Sequence, residues 1–362
     1  MYRPAEVAGM LSDVTARGGE LLLFGFEGKT APVPLLQRIG DGRAMGVILF
    51  ARNLGAPEEI VALTRALHDA APKDGPPIVV SVDQEGGRVQ RIKAPLTVWP
   101  AMARVAAVGD LAYTEAVGRA MALEVAALGF NVDYAPVLDV HTNPANPIIG
   151  DRAFGTNAAA AAAQALAFWR GLESAGVRGC GKHFPGHGDT ATDSHLELPR
   201  VEADARRLRE VERVPFAAAA QARMPMFMTA HVVYPAIDDE PATMSKRWLI
   251  DVARGELRFA GVIVSDDLDM KAVHERWPTR EIVRRSLAAG CDCFLACRDP
   301  EVQREAEEAL DFAAHDPALA ARVVESAARV RDFRATLRRF DATSDWRSLP
   351  LAEHDKLAAR AR

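Results

Sequence analysis

Eight short apolar runs recur along this chain, each followed by a longer stretch of helical character, and that alternation limits the fold more than any other feature. The runs cover 21–26, 46–52, 78–83, 131–139, 179–184, 226–231, 262–266 and 291–297. Most are continuously apolar rather than alternating, which is the pattern of parallel strands covered on both faces. Between them, 56–68, 111–128, 157–175 and 203–221 read as helices. A sandwich or a helix bundle does not produce this order, whereas an α/β chain does. An open doubly wound sheet is the competing arrangement, and eight strand–helix units favour a closed (β/α)8 barrel of the TIM type.

The 362 residues are enough for one such barrel with an addition at its carboxyl end. Residues 301–362, rich in Ala, Arg and Glu, are expected to form helices packed on the barrel. No repeat, Gly/Ser linker or charge block divides the chain, so 1–362 reads as a single domain. A net charge of -5 offers nothing to attract nucleic acid or an anionic membrane, and neither is expected as a partner. Residues 1–13 hold no cationic segment leading into a long apolar run. The apolar run 158–169 is interrupted by Gln164 and falls short of the ~18 residues a membrane span needs. A cytoplasmic, monomeric enzyme is the expectation. Four cysteines do not make a disulfide scaffold. Cys291, Cys293 and Cys297 fall on one face of the last strand, where burial as small hydrophobes outweighs a thiolate metal site.

The polar residues carry the functional signal. Asp83 and Glu85 end the third run, Asp139 and His141 the fourth, Lys182 and His183 the fifth, His231 the sixth, and Asp266 and Asp267 the seventh. In a barrel of this type the carboxyl ends of the strands form the catalytic face. Five strands that end in titratable groups after apolar runs indicate a polar pocket.

The densest stretch runs from Gly181 through Lys182, His183, Phe184, Pro185, Gly186, His187, Gly188 and Asp189 to Thr190, followed by Asp193, Ser194 and His195. A carboxylate two residues from a histidine can fix the ring's tautomer and raise the basicity of its other nitrogen. Ser194 lacks a glycine-flanked elbow and is a weak candidate nucleophile. Asp189, Asp193 and the histidines could hold zinc, but no His-x-His pair ends an early strand, and no metal or other cofactor is expected. Of the adjacent acids Asp266 and Asp267, one is expected to cap the next helix and the other to face the pocket, where a carboxylate can attack an anomeric carbon or stabilise the charge that develops there. Asp83, Glu85, Arg88 and Arg91 lie after the third run, and Arg152 in a turn-rich loop after the fourth; such acids and arginines suit hydrogen bonding to sugar hydroxyls. Arg88 by itself reads as a surface ion pair.

Together these blocks resemble family 3 glycoside hydrolases, specifically the bacterial β-N-acetylhexosaminidases of the NagZ type. The resemblance rests on Lys182 to Thr190 with Asp193-Ser194-His195, then Ser265-Asp266-Asp267-Leu268, with Asp83 to Arg88 and Gly150 to Phe154 as further matches. It implies that Asp266 is the nucleophile, that His195 is the acid/base with Asp193 as its partner, and that Asp83, Arg91, Arg152, Lys182 and His183 grip the sugar. It implies a retaining exo-β-N-acetylglucosaminidase acting on a small carbohydrate, such as a peptidoglycan (anhydromuropeptide) fragment. A phosphorylase or another β-glycosidase of the same family, a metal-dependent barrel hydrolase and a non-catalytic sugar-binding barrel are the alternatives.

Overall fold

The computed structural model describes residues 18–192, 197–313, 316–340 and 345–361. Eight parallel strands close into a barrel: β1 (Leu22–Phe24), β2 (Gly46–Leu49), β3 (Val79–Val82), β4 (Val132–Asp133), β5 (Arg178–Phe184), β6 (Met226–Thr229), β7 (Val262–Asp267) and β8 (Cys293–Ala296). Each pairs with its neighbour in chain order, and β8 returns to β1 through Leu22↔Phe294 and Leu23↔Leu295. The closed ring excludes the open sheet. Every residue of β1, β2, β3, β6 and β8 is buried, as their continuous apolar character requires.

Helices clothe the ring where the sequence carries start signals. Asp110 caps Leu111–Ala127 by accepting from the amides of Ala112 and Tyr113, and Asn157 caps Ala158–Ser174 through the amide of Ala160. No helix among the described residues is long and apolar enough to cross a membrane.

Three expectations are corrected in detail. The fourth run is a strand only over Val132–Asp133, with one further bridge between Val137 and Lys182. Pro136, which has no N–H to donate, interrupts the ladder there. The helix expected over 203–221 is two helices, Ala205–Glu210 and Val214–Gln221, the second starting with Pro215 in its first turn. Of the carboxyl-terminal helices, Pro300–Ala313 directly follows β8 and is the barrel's own eighth helix. Pro317–Ala335 and Leu351–Ala359 are the additions, the latter packing on Leu111–Ala127.

Candidate active site

Residues at and just beyond the carboxyl ends of the strands line a cavity of about 170 Å3. Its polar wall is Asp83, Glu85, Arg91, Arg152, Lys182, His183, His187, Asp266 and Asp267; Ile48, Phe50, Met228, Met270 and Leu295 supply apolar surface. Six of the eight expected site residues therefore meet in one place. Asp193 and His195 lie outside the described residues.

Lys182 is the hub of a charged cluster in the cavity wall. Its ammonium is 2.6 Å from Asp83 Oδ1 and 2.5 Å from Glu85 Oε1. Arg152 forks onto the same Glu85, with Nε 2.7 Å from Oε2 and Nη2 2.8 Å from Oε1. Arg91 Nη2 lies 3.7 Å from Asp83 Oδ2. Burial opposes charge on Lys182, Glu85 and Arg152, yet their mutual attraction wins. Lys182 is held above the ordinary lysine range by Asp83 and Glu85, and Glu85 well below the carboxylate range by Arg152 and Lys182. Lys182, Glu85 and Arg152 are thereby held in their charged forms and offer fixed donors and acceptors to the cavity.

Asp139 organises the histidines. Its Oδ1 accepts from the backbone amides of His183 at 3.1 Å and His187 at 2.6 Å, and its Oδ2 lies 2.7 Å from His183 Nδ1. Burial alone would raise this carboxyl, but His183 and His187 outweigh it and keep it ionised. An ionised carboxylate can only accept, so His183 Nδ1 carries the hydrogen and Nε2 is the nitrogen available for proton exchange. His187 Nδ1 lies 2.8 Å from Thr190 Oγ1. That hydroxyl donates to His187 O and receives from Asn146 Nδ2, so His187 is the donor to it. Burial, followed by the neighbouring His183, lowers His187 to about 4, so its ring is neutral at pH 7.

The two adjacent acids of β7 differ. Asp266 Oδ1 accepts the amide of Asp267 at 2.8 Å. Asp267 Oδ1 accepts the amides of Asp269 at 3.1 Å and Cys297 at 3.2 Å, which ties the β7 tip to the end of β8. Burial, then the charge of Asp269, raises Asp267 to about 8. That shift disfavours the ionised, nucleophilic form of Asp267. Neither acid caps the helix Lys271–His274, whose N-cap is Met270.

Other expectations resolve plainly. Arg88 contacts the carbonyl oxygens of Pro147 and Ile149 and lies 3.5 Å from Asp151, so it braces the turn that carries Arg152. His231 lies away from the cavity lining, between Thr243 and the carbonyl of Asp267. All four cysteines are buried and free. No group of three or more potential metal ligands occurs among the described residues. Glu85 and His187 also line the cavity and Asp139 holds His183 and His187, positions to which the family resemblance gave no individual role. Their signal was present, since each ends a strand or sits in the histidine stretch, but their roles depend on partners from other strands.

Residues 17–332 match the Glycosyl hydrolase family 3 N terminal domain. A β-hexosaminidase of Alkalilimnicola ehrlichii is 43% identical over 286 residues, covering 77% of this chain and 81% of that protein. Among solved structures, a β-N-acetylhexosaminidase from Beutenbergia cavernae superposes with a TM-score of 0.83 at 32% identity, covering 89% of this chain and 98% of that one. NagZ from Neisseria gonorrhoeae in complex with N-trifluoroacetyl-D-glucosamine superposes with a TM-score of 0.76 at 30% identity, covering 94% and 96%. With a barrel, a charged sugar-sized cavity and this degree of likeness, the chain belongs to glycoside hydrolase family 3.

Proposed function

We propose that this protein is a retaining exo-β-N-acetylglucosaminidase. The observation that carries the reading is the position of Asp266, at the tip of β7 in the same cavity as Asp83, Arg91, Arg152, Lys182 and His183. Asp266 attacks C1 of a terminal β-linked N-acetylglucosamine as the bond from C1 to the leaving oxygen breaks, giving a covalent glycosyl-enzyme. His195, polarised by Asp193, protonates that oxygen. Water then attacks C1 while His195 takes its proton, which frees Asp266 and retains the configuration. Both residues of this pair enter from the family resemblance and lie outside the described residues.

Asp83, Lys182, Arg91, Arg152 and His183 hold the sugar hydroxyls. Asp267 Oδ1 is already taken by the amides of Asp269 and Cys297, and its carboxyl is shifted upward by burial, which supports Asp266 as the nucleophile of the two. Peptidoglycan fragments such as N-acetylglucosaminyl-anhydromuropeptides are the proposed natural substrate, acted on in the cytoplasm by a single-domain monomer. The resemblance to hexosaminidases of the NagZ type supports the substrate. Release of N-acetylglucosamine from an aryl β-N-acetylglucosaminide, with its β-anomer formed first, is the expected result. Faster release of an aryl glucoside would reject the acetamido specificity, and a sugar phosphate formed when phosphate is added would indicate a phosphorylase.

A further inference from the structure

Among the buried carboxyls that the mechanism above leaves unused is that of Asp133. Asp133 ends β4, in register with Gly179, three residues before Lys182 on β5, and it is fully buried. Its Oδ1 accepts the backbone amide of Gln84 at 2.9 Å. Its other oxygen meets no hydrogen-bond partner among the described residues.

Gln84 stands between the two acids that clamp Lys182. Its side chain is already fixed: Oε1 accepts from the amides of Arg91 and Ile92, both at 3.0 Å, and Nε2 donates to Ile92 O at 2.9 Å. Asp133 holds the main-chain side of the same residue. The peptide between Asp83 and Glu85 is therefore pinned from both directions.

The charge on Asp133 follows from its surroundings. A buried carboxylate with one amide on one oxygen and nothing on the other is costly. Lys182, the nearby cation, is engaged by Asp83 and Glu85. A third negative group would compete with them for it. Burial drives the Asp133 carboxyl well above the ordinary range, against the opposing pull of the Gln84 amide and Lys182.

We propose that Asp133 is a positioning residue for substrate: held as an uncharged carboxylic acid, it fixes the Gln84 amide and so sets the spacing of Asp83 and Glu85 around Lys182. It touches neither sugar nor reacting atoms. The inference rests on reading the Asp83–Lys182 group as the sugar grip.

The test compares Asp133→Asn, Asp133→Ser and Asp133→Ala on an aryl β-N-acetylglucosaminide, with wild-type turnover measured first. If the wild type leaves that substrate intact, the substrate reading fails, and the variants are compared on whichever aryl glycoside it cleaves. Asp133→Asn keeps a neutral acceptor for Gln84 and is expected to hold kcat and KM within about twofold of wild type. Asp133→Ala is expected to raise KM about tenfold, with a much smaller fall in kcat. Asp133→Ser should fall between them, and it supplies the KM comparison if the alanine variant does not fold. The infrared difference between wild type and Asp133→Asn at pH 7 should contain a protonated-carboxyl band. A carboxylate band in its place, an asparagine variant as impaired as the truncations, or truncations with an unchanged KM would each overturn the proposal.

Discussion

Arg152 and Glu85, 67 positions apart in sequence, meet as a two-pronged pair at 2.7 and 2.8 Å. The pair joins the loop after β4 to the loop after β3, and Glu85 in turn holds Lys182. A lysine cannot reproduce the planar fork. Arg152→Lys should therefore raise KM by about tenfold or more and lower stability by about 1–3 kcal/mol, because Glu85 stays buried with half its partners. Steady-state kinetics and thermal unfolding read the two effects, and an unchanged KM would count against the pair's role in holding the sugar.

Asp266 and Asp267 are adjacent acids with opposite expected phenotypes. Asp266→Asn should reduce turnover by roughly a thousandfold or more with little change in melting temperature. Asp267→Asn should remain active near pH 7, since asparagine keeps the oxygen that accepts the amides of Asp269 and Cys297. Asp267 is raised to about 8 from 3.8, so its contribution to stability is complete below about pH 4 and is lost as pH rises to 8, where the folded protein must ionise a buried acid. Relative to wild type, Asp267→Asn should gain stability as pH rises from about 4 toward 8. Melting temperatures of the two proteins from pH 6 to 9 check this, and parallel curves would contradict it.

His187 gives the opposite limb. Its folded value of about 4 lies below the 6.5 of an exposed histidine, so the unfolded chain binds the proton first. Its contribution is fully present above pH 6.5 and is lost between 6.5 and 4, by at most about 3 kcal/mol. Replacing it with Gln, which cannot titrate, should flatten that part of the stability curve. Denaturant melts at pH 7 and pH 4.5 measure the difference, and an equal acid loss in both proteins would exclude His187 as its source.

Gly188 marks where the histidine stretch is locked to the barrel. A Cβ there would stand 1.7 Å from the carbonyl oxygen of Val140. Tyr234 donates to the carbonyl of Gly186 at 2.6 Å from the other side. Gly188→Ala should lower stability by about 1–3 kcal/mol and reduce kcat more than any surface Gly→Ala change, as seen in unfolding and activity together. Wild-type values for both would show the stem to be free to move.

Much of the fold was legible because continuous apolar runs alternate with helical stretches eight times. What escaped was set by single residues acting against that alternation. Pro136 shortens the fourth strand, and Pro215 starts a second helix inside what reads as one. In the site, Asp83, Lys182, His183 and Asp266 announced themselves as polar residues at strand ends, and Arg91 and Arg152 as arginines in the loops that follow. Asp139 and Glu85 ended strands too, but their work is to hold His183 and Arg152, partners brought to them from other strands. Asp133 gave no signal, since an acid inside an apolar run looks like an interruption until its place beside Gln84 is known.

A covalent bond between Asp266 and C1 of the sugar is the intermediate on which the proposed reaction turns. Incubation with a 2-deoxy-2-fluoro glycosyl donor, followed by proteolysis and mass spectrometry, tests it directly. Addition of the sugar's mass to Asp266, and its absence from the Asp266→Asn variant, is the expected result. The same mass on Asp267 or on any other side chain, or time-dependent inactivation that persists in Asp266→Asn, would contradict it.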